Sequence, residues 1–166
     1  EDGISEGLII EQNIITGNGA FGGAGINLAS VRRSLVRNNL IYGNDAAGIA
    51  CWDDAYAEAT GVPASPFGCD DVTINNNTLI DLAGGRGALI LNQGASNIGV
   101  FNNIIVRDRF DAYEVAFNSG TNLRSAYNAY FAQFIEESEG SIILDTNPQS
   151  GSLTGFTVQE ALAQFV

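Results

Sequence analysis

Five times along the chain an Asn separates two short apolar runs, at Asn13, Asn39, Asn77, Asn103 and Asn128, with successive spacings of 26, 38, 26 and 25 residues. Three residues before each Asn stand Ile10, Val36, Ile74, Val100 and Ser125, and five before it Leu8, Ser34, Val72, Ile98 and Leu123. Two residues beyond it come Ile15, Ile41, Leu79, Ile105 and Tyr130. A further alternating run follows in each of the first four repeats: Ile26 to Leu28, Ile49 to Cys51, Leu89 to Leu91 and Val115 to Phe117. Every second side chain is apolar within a run, and the whole pattern recurs at about 25 residues, so each repeat reads as three short strands forming one coil of a solenoid. The strand before the Asn belongs to sheet two, the strand after it to sheet three, and the later run to sheet one.

Such a coil cannot bury its apolar face alone, but 166 residues suffice for the few stacked coils that can. Twenty Gly and only three Pro suit frequent tight turns. Asn is expected at the corner between sheets two and three because it tolerates left-handed backbone and its amide bonds nearby main chain. Stacked corner amides would then form a buried ladder at Asn39, Asn77 and Asn103.

Charge and missing residue types narrow the chemistry. Seven basic against nineteen acidic residues give a net charge of −12, which opposes binding to nucleic acid or anionic lipid. All seven basic residues are Arg, and Lys and His are both absent. That removes the commonest general base, Schiff-base chemistry and every His-containing metal site. No run is apolar enough to span a membrane, the opening Glu1-Asp2-Gly3 is unlike a leader, and the lack of Met suggests a processed or excised piece.

The stretches LIIEQNIITGN, SLVRNNLIYGN, VTINNNTLI and IGVFNNIIV, followed by AGINLA, AGIACW and GALILN, resemble the right-handed parallel β-helix of the pectate-lyase-like superfamily. The resemblance implies an all-β solenoid of about five coils over residues 1–134; residues 135–166 read from their own pattern as a strand and a short helix, a tail expected to pack outside the coils over sheet three. It also implies extracellular or cell-surface work on polysaccharide, as a lyase, hydrolase, epimerase or adhesin.

The 38-residue interval holds an insertion of about 12 residues bounded by Cys51 and Cys69, the two Cys of the chain. A disulfide between them would close the excursion; the other reading is a pair of buried thiols. The excursion carries Trp52, Asp53, Asp54, Tyr56 and Glu58. An aromatic ring with carboxylates beside it suits a sugar, and Asp53 and Asp54, with Asp70 and Asp71 near the base, suggest Ca²⁺. A solvated acidic loop gives the same residues.

Substrate clefts in the resembled superfamily run along sheet one, whose outward positions here include Asn27, Trp52, Asn92, Glu114 and Asn118. The paired carboxyls that flank a glycosidic bond in hydrolases are missing from these strands. Lyase-like chemistry remains, with Arg107, Arg109 and Glu114 as catalytic candidates and Trp52, Tyr56, Asn27, Asn92 and Asn118 as substrate contacts. In lyase-type β-helices, an Arg serves as base or neutralises a uronate; surface ion pairing explains the same Arg residues, as it does Arg32, Arg33 and Arg37. From a different class, a non-catalytic structural, adhesive or carbohydrate-binding solenoid would self-associate through its first coil or the outer face of sheet three. That face is expected to be apolar at Ile14, Leu40, Tyr42, Ile80, Ile104, Val106 and Phe131.

Overall fold

The computed structural model describes residues 4–52, 68–81, 87–92, 94–107, 113–115 and 122–131, which contain fifteen short strands and no helix. Sheet two is built from β1 (Ser5–Glu6), β2 (Ile9–Glu11), β5 (Val31–Arg37), β8 (Asp70–Asn75), β11 (Gly99–Phe101) and β14 (Arg124–Ala126). Sheet three stacks β3 (Ile14–Ile15), β6 (Leu40–Tyr42), β9 (Thr78–Asp81), β12 (Ile104–Arg107) and β15 (Ala129–Phe131). Sheet one stacks β4 (Ala24–Ala29), β7 (Ala47–Trp52), β10 (Leu89–Leu91) and β13 (Tyr113–Val115). Every pairing is parallel, and the chain visits two, three and one in turn, so the described strands make four full coils and two sides of a fifth.

The inward positions follow the expected parity. Val36, Ile41, Ile49, Val72, Ile74, Leu79, Leu89, Leu91, Ile98, Val100 and Ile105 form one buried core running up the axis. In sheet one, the fourth strand starts two residues before the expected run: Tyr113 pairs with Leu89, Glu114 with Ile90 and Val115 with Leu91. Three apolar side chains in alternation fit two registers equally well, and coil stacking chose the earlier one.

The Asn ladder is present and buried. Asn39, Asn77, Asn103 and Asn128 are each at most 2% exposed. The Oδ1 of Asn77 accepts both the main-chain N–H and the Nδ2 of Asn39, at 3.0 and 2.9 Å, and Asn103 and Asn128 repeat the arrangement one coil on. Each Nδ2 also donates to a carbonyl in the strand of the coil behind, Asn77 to Val36 and Asn103 to Ile74. The left-handed backbone, however, falls one residue earlier than expected. Gln12, Asn38, Asn76, Asn102 and Tyr127 carry φ between 54° and 59°, while the ladder Asn residues do not. The residue before absorbs the turn, which leaves the ladder amide free to point along the stack.

A second column of left-handed residues, Gly7, Arg33, Asp71, Asn97 and Asn122, kinks sheet two near its start. Here Asp70 Oδ1 accepts Ser96 Oγ at 2.8 Å and Asn97 Nδ2 at 2.6 Å, and Asn97 Oδ1 in turn accepts Asn122 Nδ2 at 2.9 Å. The bonds from Asn97 and Ser96, with the Arg32 and Arg33 charges behind them, hold the Asp70 carboxyl below its ordinary value of 3.8. A carboxyl whose folded pKa is depressed contributes stability that is complete above its unfolded value and is lost as pH falls through the folded one. Melting temperature followed from about pH 5 to pH 2 should therefore show Asp70→Asn below wild type at the upper end, with the gap closing toward the lower.

Sheet three is apolar on its outer face, as expected, but unevenly covered. Ile14 is 71% exposed, Leu40 36% and Tyr42 40%, whereas Val106 is 5% exposed two coils further on. The tail expected to cover this sheet lies outside the described residues.

Candidate functional site

Register fixes which residues share a row across sheet one. Asn27, Ala50, Ile90 and Glu114 are successive partners in β4, β7, β10 and β13. One step along, Ala29 pairs with Trp52. Leu91 pairs with Cys51, so Asn92, the next residue, follows β10 at the height of Trp52. Because side chains alternate along a strand, Asn27, Ala50, Trp52, Ile90 and Asn92 belong to the face opposite the core-facing Leu28, Ile49, Cys51 and Leu91. Three of the expected substrate contacts are thus gathered on one face.

That face is not a uniform open groove. Asn27 is exposed and Asn92 half-buried, but Ala50 and Ile90 are 7% and 2% exposed and form a second apolar cluster with Ala47, against which Ala24 packs. Trp52 is half-buried, and its indole Nε1 is buried with no hydrogen-bond partner among the described residues. What the ring offers to solvent is therefore carbon surface and not its N–H, which suits stacking on a sugar face better than donation to a hydroxyl. The main chain beside it is pinned, with Ser30 N–H donating to Trp52 O at 3.0 Å and Asn92 N–H to Cys51 O at 2.8 Å.

Of the remaining expected site residues, Arg107 ends β12 in sheet three, at the register position of Asp81, and does not stand in the loop that follows. Glu114 takes the row of Asn27. Tyr56, Asp53, Asp54, Arg109 and Asn118 lie outside the described residues, so the Ca²⁺ expectation on the two Asp residues has no geometry here. Among the described residues no cluster of three or more acidic or Cys side chains could hold a metal. Asp70 already takes two side-chain hydrogen bonds from the scaffold. Arg33 and Arg37 pair with Glu6 and Glu11 of the adjoining coil, the latter at 2.6 Å; exposed pairs of this kind contribute about 0–1 kcal/mol.

In this structure Cys51 and Cys69 stand as buried free thiols, the second of the two readings of the pair. Cys69 Sγ donates to Leu28 O at 3.0 Å, a bond that meets the thiol's one proton within the core. A second feature escaped the sequence reading altogether. Asn44, 3% exposed, accepts the main-chain N–H and Nδ2 of Asn18 at 3.0 and 3.3 Å, which makes a second ladder after sheet three. Its signal is the Gly-Asn pair at Gly17-Asn18 and again at Gly43-Asn44, five residues beyond each first-ladder Asn.

A model of the right-handed β-helix region matches residues 2–133. No curated protein and no solved structure matches the chain.

Proposed function

Since the chain belongs to the right-handed β-helix family, we propose that it acts at the cell surface or outside the cell as a polysaccharide-binding domain, with sheet one as the contact face. The observation that carries this reading is the row geometry, which sets half-exposed Trp52 at the height of Asn92 and within one step of exposed Asn27. The ring supplies a stacking platform and the two amides donate to and accept from hydroxyls. Tyr56 and Asn118 extend the contact set, Ca²⁺ on Asp53 and Asp54 offsets repulsion between a polyuronate and a protein of charge −12, and Arg107 or Arg109 meets the carboxylate. If a bond is broken, the chemistry is β-elimination, with one of those Arg residues as base and Glu114 beside the reacting sugar.

A glycan array read with Ca²⁺ and then with chelator tests the binding. The expected result is retention of acidic polysaccharide that weakens at least tenfold in Trp52→Ala and falls when Ca²⁺ is removed. Ultraviolet absorbance of an unsaturated uronate product separates lyase from binding module. Failure of every acidic and neutral glycan to bind would reject the reading.

A second reading, a self-associating solenoid, is favoured by the first coil. Ile9 and Ile14 are 64% and 71% exposed there, and β1 to β4 each pair on one side with the second coil while their other edge has no strand among the described residues. Such edges accept a further strand. Sedimentation that shifts with concentration, and that Ile9→Lys abolishes, would favour it.

A further inference from the structure

Two sulfurs converge in the core beneath Trp52, and the glycan-binding face uses neither. Cys51 lies within β7, paired with Leu28 on one side and Leu91 on the other. Cys69 returns just ahead of β8, on the far side of residues 53–67. Its Sγ sits 3.0 Å from Leu28 O and 3.7 Å from Trp52 O. Leu28 is the cross-strand partner of Cys51 and Trp52 its chain neighbour, so the Cys69 sulfur is bracketed by the two residues that adjoin Cys51. Both thiols are 0% exposed and belong to the same core cluster. Two buried thiols that share these neighbours need little backbone movement to reach disulfide geometry.

We propose that Cys51 and Cys69 are a redox-active pair that closes to a disulfide at the expense of a low-molecular-weight disulfide such as oxidised glutathione, cross-linking the two ends of the excursion beneath Trp52. The sulfurs are not equivalent. The nearness of Cys51 lowers the Cys69 thiol, while the nearness of Cys69, followed by burial, raises Cys51 well above the ordinary thiol range. Cys69 is therefore the attacking thiolate. It forms a bond to one glutathione sulfur and expels the other as a thiolate, which takes up a proton. Cys51 then loses its proton, attacks the Cys69 sulfur of the mixed disulfide and releases the second glutathione. Two protein thiols are oxidised and one glutathione disulfide is reduced to two thiols, so electrons and protons balance. The closed loop restricts the unfolded chain and fixes the backbone that carries Trp52.

The test equilibrates the full chain with excess oxidised glutathione, once in the folded state and once during refolding from denaturant, so that access to the buried pair is assured. Alkylation under denaturing, non-reducing conditions followed by intact mass reads the outcome. The expected product lacks both alkylation sites, carries no glutathione, and melts about 5–10 °C above the reduced protein. Cys51→Ser should instead trap a single glutathione on Cys69. Two alkylated thiols after both treatments would overturn the proposal. A disulfide that forms only on refolding and lowers the melting temperature would also overturn it, because the folded geometry would then not fit the bond.

Discussion

Asn77→Leu should destabilise the coil stack by about 3–5 kcal/mol, more than a hydrophobic side chain of similar size suggests. Asn77 is 1% exposed, and its amide serves three neighbours at once. Its Oδ1 accepts two bonds from Asn39, and its Nδ2 donates to Val36 O and Asn103 Oδ1. Leu keeps the volume but strands the main-chain N–H of Asn39, one of its two Nδ2 hydrogens (the other goes to Ile10 O) and the carbonyl of Val36 in a site closed to water. Each orphaned buried group costs about 1–3 kcal/mol, and partial relaxation of the coils keeps the sum near the lower end. For a chain of this length that is a fall in melting temperature of roughly 10 °C. Asn13→Leu is the matched control: Asn13 is exposed at the outer end of the ladder, where water replaces what is lost, and its loss should cost under about 1 kcal/mol. Equal effects at the two positions would mean that corner packing, and not the ladder, holds the coils in register.

Gly48→Ala should be the next most damaging single change, at about 2–3 kcal/mol. Gly48 sits within β7, where a Cβ would stand 2.7 Å from the carbonyl oxygen of Ala88 and 3.1 Å from Leu79 Cδ2. Leu79 can change rotamer, but the carbonyl belongs to the backbone of the next coil, whose Ala88 O accepts the Ile49 N–H at 2.9 Å. Relief of the clash therefore requires the second and third coils to separate at the very bond that joins them. Chemical denaturation should show a lower midpoint for Gly48→Ala. An added Leu79→Ala should not restore it, since the backbone contact remains; restoration would place the strain in the side chain.

The coil architecture was legible in the sequence because one strongly polar residue recurs inside an apolar context. A buried Asn must be fully bonded, and at a period of about 25 residues only its counterpart one coil away can do that. The inward face followed from the same count, and Val36, Ile74, Val100, Ile41, Leu79 and Ile105 are buried as expected. Left-handed residues were less legible: at Gln12 and Tyr127 the corner conformation is imposed by the coil on side chains with no preference for it. The Asn44 ladder was hidden by its brevity, since among the described residues only Asn18 and Asn44 take part.

The candidate site divides along similar lines. Asn27, Trp52 and Asn92 were placed on one face by strand parity, which needs only counting, and register confirms their rows. The burial of Ala50 and Ile90 was not foreseeable from parity, because alternation says which way a side chain points and nothing about what lies over it. Arg107 illustrates the same limit, since a charged residue ending an apolar strand reads as loop until its pairing with Asp81 extends the sheet.

Trp52 is the single tryptophan of the chain, so its fluorescence reports on the proposed face without any label. Titration with an acidic polysaccharide in the presence of Ca²⁺, followed by tryptophan emission and by acrylamide quenching, is the most direct test of sheet one as the contact face. We expect a saturable change in emission with the same midpoint as calorimetric binding, and protection of Trp52 from quencher in the bound state. Binding seen by calorimetry with emission and quenching unchanged would place the glycan elsewhere on the solenoid and contradict the assignment.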